Sequence, residues 1–122
     1  MSKTFTAAIK DFSNLTEKTV RGTCISMGSR IIKRSPVDTG RFRNNWQFSI
    51  DAPATGKDPS GANQVELANV ANKMVPGNTF YMTNNLPYAE RLEYGWSNQA
   101  PKGMVRVTLG EYKQIIEEAS KK

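Results

Sequence analysis

Ser35-Pro36-Val37-Asp38-Thr39-Gly40-Arg41-Phe42-Arg43-Asn44-Asn45-Trp46 is the stretch on which the reading of this chain turns. Pro36 lacks a backbone donor and restricts Ser35 to extended geometry, so a helix arriving from the N-terminal side stops there. Asp38 and Thr39 carry side-chain oxygens that bond backbone amides two residues on, and Gly40 takes positive φ without steric cost. Pro36, Asp38, Thr39 and Gly40 therefore read as a self-bonded structural corner. Such a corner is either an assembly joint or the seat of an active carboxylate.

Working back from the corner, Phe5, Ile9, Phe12, Val20, Cys24, Met27 and Ile31 follow steps of four, three, eight, four, three and four. That spacing predicts one long helix over residues 1–34, with its apolar face widened by Leu15, Ile25 and Ile32. A weak point lies near Ser13, where Asn14 and Glu17 have the spacing of a capping box. Unbroken, such a helix is about 45 Å long, against about 35 Å for a compact domain of this size. Either it breaks near residue 13, or Phe5 and Ile9 project and need a neighbouring subunit.

Forward from the corner, Phe42, Asn44, Trp46, Phe48 and Ile50 alternate with Arg43, Asn45, Gln47 and Ser49, the period of a half-buried strand. Residues 52–64, rich in Pro, Gly, Ala and polar side chains, read as a mobile loop. A short helix is expected over Val65 to Met74, and a second strand, antiparallel to the first, over Thr79 to Asn84. Another short helix runs from Tyr88 to Tyr94 with Gly95 as its cap, and a polar loop from Trp96 to Ala100. A final helix opens at Pro101 and runs to about Ala119. The expected fold is α+β in a single domain spanning 1–122: a long N-terminal helix and a C-terminal helix packed on a small antiparallel β-sheet.

The 122 residues are 38% hydrophobic, enough for a modest core whose surface a partner helps to complete. No apolar run is long enough to span a membrane, and the first residues lack the apolar core of a secretion signal. The absence of histidine removes Ser-His-Asp and Cys-His catalysis and every histidine-containing metal site, and the single cysteine removes thiolate zinc sites. No cofactor is expected, and Cys24 reads as a buried, inert thiol. Of the net charge of +6, residues 1–34 hold +5, 35–60 are neutral, 61–100 hold −1 and 101–122 hold +2. A basic first helix suits a solvated face, an acidic protein neighbour or weak, sequence-independent contact with DNA.

Asp38-Thr39-Gly40 is also the catalytic triplet of aspartic proteases, which need two carboxylates sharing a proton. Here it follows a helix and precedes Arg41, which favours the turn. Glu90, Arg91 and Glu93 beside Tyr88 and Tyr94 form no complete acid–base set and read as a solvated or intersubunit helix. Trp46, Phe80, Tyr81, Tyr88 and Trp96 near Arg41, Arg43 and Arg91 offer the alternative of a stacking platform for single-stranded nucleic acid, though alternating strand aromatics are more often core.

Three blocks taken in order, Arg34 to Asn44, Phe80 to Gly95 and Ala100 to Arg106, resemble the small tail-component family of long-tailed bacteriophages, described as tail-completion or neck proteins. Tyr94 between Glu93 and Gly95 is a variant of that family's Leu-Glu-Gly-like segment. The resemblance spans nearly the whole chain except the loop near 52–64. It supplies no catalytic residues, so no enzyme activity is expected. It implies a structural virion protein at the head–tail junction, forming a ring matched to the sixfold tail through contacts with its own copies and with neighbouring neck or tail proteins. It also implies assembly in the host cytoplasm; tail termination and head–tail connection are the alternatives. Rings need two different contacting patches. The candidates are Phe5 and Ile9 on the helix tip, and Arg41, Arg43, Tyr88, Arg91 and Trp96.

Overall fold

The computed structural model describes residues 4–10, 12, 14–35, 41–57, 63–87, 89–94 and 103–121. In chain order these form β1 (Phe5–Ile9), α1 (Glu17–Arg34), α2 (Arg41–Asn44), β2 (Trp46–Ile50), α3 (Asn63–Ala71), β3 (Phe80–Asn84), α4 (Ala89–Glu93), α5 (Val105–Leu109) and α6 (Tyr112–Ser120). The architecture is mixed α+β, with a three-stranded antiparallel sheet in the order β1-β3-β2. No helix among the described residues is long and apolar enough to cross a membrane.

The N-terminal segment departs from the expected helix. Phe5 to Ile9 is an edge strand, with Phe5 opposite Asn84 and Ile9 opposite Phe80. The apolar step of four from Phe5 to Ile9 suits a helix face, but it also puts Phe5, Ala7 and Ile9 on one face of a strand. β3 offers a free ladder edge, and pairing with it decides between the two. Ile9 is buried and Phe5 and Ala7 pack against the core, so neither Phe5 nor Ile9 projects.

The helix does begin beyond the weak point, though with a different cap. Thr16, at φ −75° and ψ 161°, accepts a hydrogen bond from the Thr19 amide at 3.2 Å, and Glu17 places an acid in the first turn. Asn14 is left in the turn before it. From there Val20, Cys24, Met27 and Ile31 are fully buried, as their spacing predicts.

The strand expected from Phe42 starts later. Arg41–Asn44 is one helical turn, which sets Phe42 beside Trp46 in an edge-to-face contact at 5.9 Å. The step of four was again readable both ways. In β2, Trp46 and Phe48 face inward, and Phe48 stacks on Phe80 of β3 at 5.9 Å. Asp51 pins the ends of β2 and β3 together: its carboxylate accepts from the Thr79 amide and Asn78 Nδ2, both at 2.9 Å. Its φ of 66° is a conformation that aspartate tolerates.

The loop expected over 52–64 is shorter and partly tied down. Asn63 and Gln64 belong to α3. Asn85 Nδ2 donates to the carbonyls of Ala54 and Gly56, at 3.0 and 2.9 Å, and Gln47 Nε2 donates to Gly56. Residues 58–62 lie outside the described set.

α3 buries Leu67 and Ala71, and Met74 follows it into the core. It packs so closely on α1 that a Cβ at Gly28 would stand 2.5 Å from a Leu67 methyl and 3.0 Å from the Phe48 ring. The final helix is two helices, α5 and α6, separated at Gly110 and Glu111. α6 lies along α1, burying Ile115 and Ala119.

Candidate functional site

Two polar knots hold the helices and strands together, and both lie where the sequence placed its candidate residues. The first ties the end of α1 to α2 and β2. Ser35 ends α1, and its hydroxyl donates to the Ile31 carbonyl while accepting from Trp46 Nε1, both at 2.7 Å. Arg43 Nη2 donates to the carbonyls of Lys33 at 3.0 Å and Ser35 at 2.8 Å, satisfying acceptors at the end of α1. Asn84 Nδ2 donates to Phe42 O at 2.9 Å, and Asn63 Nδ2 to Arg43 O at 2.8 Å. Ser35, Asn45, Asn63 and Asn84 are all buried, and the side chain of each donates to a backbone carbonyl. Pro36, Asp38, Thr39 and Gly40 lie outside the described residues.

The second knot is built on Glu93, at the end of α4 and 0% exposed. Its Oε1 accepts from the amides of Met104 at 2.9 Å and Val105 at 2.8 Å. Its Oε2 accepts from the Arg106 amide at 2.9 Å and Arg106 Nε at 3.1 Å, and Arg106 Nη2 donates to the Glu93 carbonyl at 2.6 Å. One carboxylate thus satisfies the amides at the start of α5, across a gap of 11 to 13 residues. Gly103, at φ +86°, lies against this group, and a Cβ there would collide with the Glu93 carbonyl. The solvated helix expected around Glu90, Arg91 and Glu93 is therefore corrected at Glu93, which faces the interior. The knot's partners lie too far along the chain for any local spacing to signal them.

The described candidate contact residues differ in burial. Ile9 is core and Phe5 is half-buried in β1. Arg43 is half-buried and occupied at the end of α1, so its guanidinium serves the fold. Arg41 and Arg91 are on the surface. Tyr88 and Trp96 lie outside the described residues. Trp46 and Phe80, at 1% and 0% exposed, are core, which removes them from any stacking platform.

The basic first helix is largely answered within the chain. Arg30 pairs with Glu111 at 2.9 Å and Glu118 at 3.6 Å, Arg34 with Glu111 at 2.8 Å, and Arg21 with Glu17 at 3.5 Å. The Arg34 and Arg30 hydrogen bonds lower the Glu111 carboxyl to about 2 from its ordinary 4.5. Lys18 and Lys33 remain exposed on α1.

Cys24 is buried, and desolvation pushes its thiol up to about 12, far from the thiolate a nucleophile needs. Among the described residues no group of three or more His, Cys, Asp or Glu side chains is arranged to hold a metal ion. The α+β architecture is not the all-β barrel in which the Asp-Thr-Gly triplet is catalytic. The chain matches no family model, and neither the curated proteins nor the solved structures give a significant match.

Proposed function

We propose that this chain is a non-enzymatic structural protein of a tailed bacteriophage virion: a tail-completion or neck component that acts at the head–tail junction by ring assembly and protein–protein contact. One observation carries the reading. The three blocks that resemble the tail-component family are far apart in sequence, and in the fold they bond one another. Asn84 of the second block donates to Phe42 of the first, and Glu93 of the second holds Met104, Val105 and Arg106 of the third. The shared residues are those that close the fold, which supports kinship of architecture rather than chance likeness of short motifs. Shared fold alone does not assign function, so the assembly role rests on the resemblance.

A nucleic-acid-binding module is the weaker reading, because Arg30 and Arg34 are both engaged with Glu111 and two of the aromatics that would stack bases are core. Gold-labelled antibody against the chain, applied to purified virions of the phage that encodes it, tests the proposal. Labels at the head–tail junction are expected. Labels along the tail shaft, at the tail tip or nowhere on the particle overturn it.

A further inference from the structure

The sheet has two edges, β1 and β2, and they differ in cover. The Asp51 amide donates to the Thr79 carbonyl, so Gln47, Ser49 and Asp51 turn their backbone groups toward β3, and Trp46, Phe48 and Ile50 turn theirs outward. Trp46 and Phe48 are 1% and 6% exposed, with α3 packed on β2, so that edge is closed. The same alternation carried across β3 sets Phe80, Met82 and Asn84 toward β1. Their partners Ile9, Ala7 and Phe5 face back, which leaves the N–H and C=O of Thr6 and Ala8 pointing away from the sheet. Both residues are exposed, and among the described residues neither has a backbone partner on that side. We infer that this edge pairs with the β1 edge of a second copy, antiparallel about a twofold axis at Ala7, joining the sheets of the two copies into one.

Three observations carry it. Phe5–Ile9 contains neither charge nor proline, the devices that ordinarily keep an edge strand from pairing. The edge is also self-complementary. With the axis at Ala7, Thr6 of each copy meets Ala8 of the other, and these are the residues with outward donors and acceptors, so each pair exchanges both of its hydrogen bonds. Phe5, half-buried in the single chain, then stands opposite Ile9 of the other copy in a closely spaced pair on the face turned to the core. A slip of one residue sets outward groups against inward ones, and a slip of two carries Phe5 or Ile9 past the end of the opposite strand. Lys10 of each copy falls opposite Thr4 rather than another lysine, and, counted on in sequence alone, the register matches Lys3 with the oppositely charged Asp11. Finally, the closed β2 edge decides the occupant: among the described strands a second copy offers no open edge but β1, so the same patch is used twice. Such a contact differs from the head-to-tail contacts a ring needs, and it does not rest on the assembly reading.

Sedimentation equilibrium of the full chain from about 10 μM to about 1 mM, with amide hydrogen exchange at both ends of that range, tests it. A contact of this size is weak, so a monomer–dimer equilibrium with Kd on the order of 100 μM is expected. At high concentration the Thr6 and Ala8 amides should gain protection, while those of Ala7 and Ile9, already bonded to β3, should not change. Ala8→Pro removes an outward N–H and no β3 bond, so it should keep the wild-type circular dichroism and stay monomeric throughout. A wild-type chain still monomeric at about 1 mM overturns the inference and leaves the edge to an extended segment of a different protein. A dimer in which Thr6 and Ala8 exchange as they do in the monomer overturns it too, as does undiminished dimerisation of folded Ala8→Pro. Should Ala8→Pro unfold, the exchange of Thr6 and Ala8 in the wild-type chain decides alone. None of these results bears on the head–tail assignment, which the antibody label tests separately.

Discussion

Replacing Glu93 by glutamine should be among the most damaging single-atom changes available to this protein. The side chain keeps its shape, but one acceptor oxygen becomes an NH2 group. Whichever way the amide turns, that NH2 faces two donors: the amides of Met104 and Val105, or the amide and Nε of Arg106. Two charge-assisted bonds are lost and two donors are left buried against a third. Removing one partner of a buried, hydrogen-bonded ion pair costs about 3–5 kcal/mol. The Arg106 side chain is 47% exposed, which screens its share and places the expectation at the low end, about 3 kcal/mol. Against a total stability on the order of 10 kcal/mol for a chain of this size, that is a large fraction. With a urea slope of about 2 kcal/mol/M, the unfolding midpoint should fall by about 1.5 M. Hydrogen exchange supplies a local readout, since the Met104 and Val105 amides should lose protection before those of the sheet. Glu117→Gln, on the exposed face of α6, serves as the control and should stay within about 0.5 kcal/mol of wild type. A Glu93→Gln midpoint equal to that of the control, with Met104 and Val105 still protected, would refute the reasoning.

Deleting residues 1–10 should lower stability by about 4 kcal/mol or unfold the chain, because it strips β3 of its β1 ladder and uncovers the core at Ile9; an unchanged circular dichroism melt would show β1 to be dispensable. Gly28→Ala should cost about 1–3 kcal/mol, since both Leu67 methyls and the Phe48 ring crowd the new Cβ, and thermal denaturation checks it. For Glu111 the folded pKa, about 2, lies below the ordinary 4.5, so its stabilisation is full above about 4.5 and is lost as pH falls toward about 2. With the carboxylate 30% exposed, screening reduces its contribution to about 1 kcal/mol. Urea midpoints of wild type and Glu111→Gln should therefore differ near neutral pH and converge near pH 2.

The parts of the fold legible in the sequence were those with an unambiguous period. The buried face of α1 from Val20 to Ile31, the inward Trp46 and Phe48 of β2, and the burial of Leu67, Ala71 and Met74 all follow from spacing alone. Two misreadings share one cause. Phe5 with Ile9, and Phe42 with Trp46, are four residues apart, a step that lies on one face of a helix and equally on one face of a strand. The choice is made by what each segment meets: β3 converts the first to strand, and the tie from Asn84 to Phe42 holds the second as a helical turn. At the candidate site, the corner residues Pro36 to Gly40 lie outside the described residues, and the segment read as a solvated or intersubunit helix buries Glu93. Nothing local in the sequence signals that Arg43 caps α1 or that Glu93 caps α5, since each joins residues too distant in the chain for local pattern to reveal. The break between α5 and α6 falls at Gly110, a residue that is costly in a helix interior.

The central claim is that the chain joins heads to tails by assembly rather than by chemistry. Electron microscopy of particles made by the encoding phage, with this gene inactivated, tests it most directly. The account predicts DNA-filled heads lying beside free tails of normal length, restored to joined particles when the wild-type chain is supplied. Overlong tails would move the chain to tail termination. Complete, infectious virions formed without it would contradict the account.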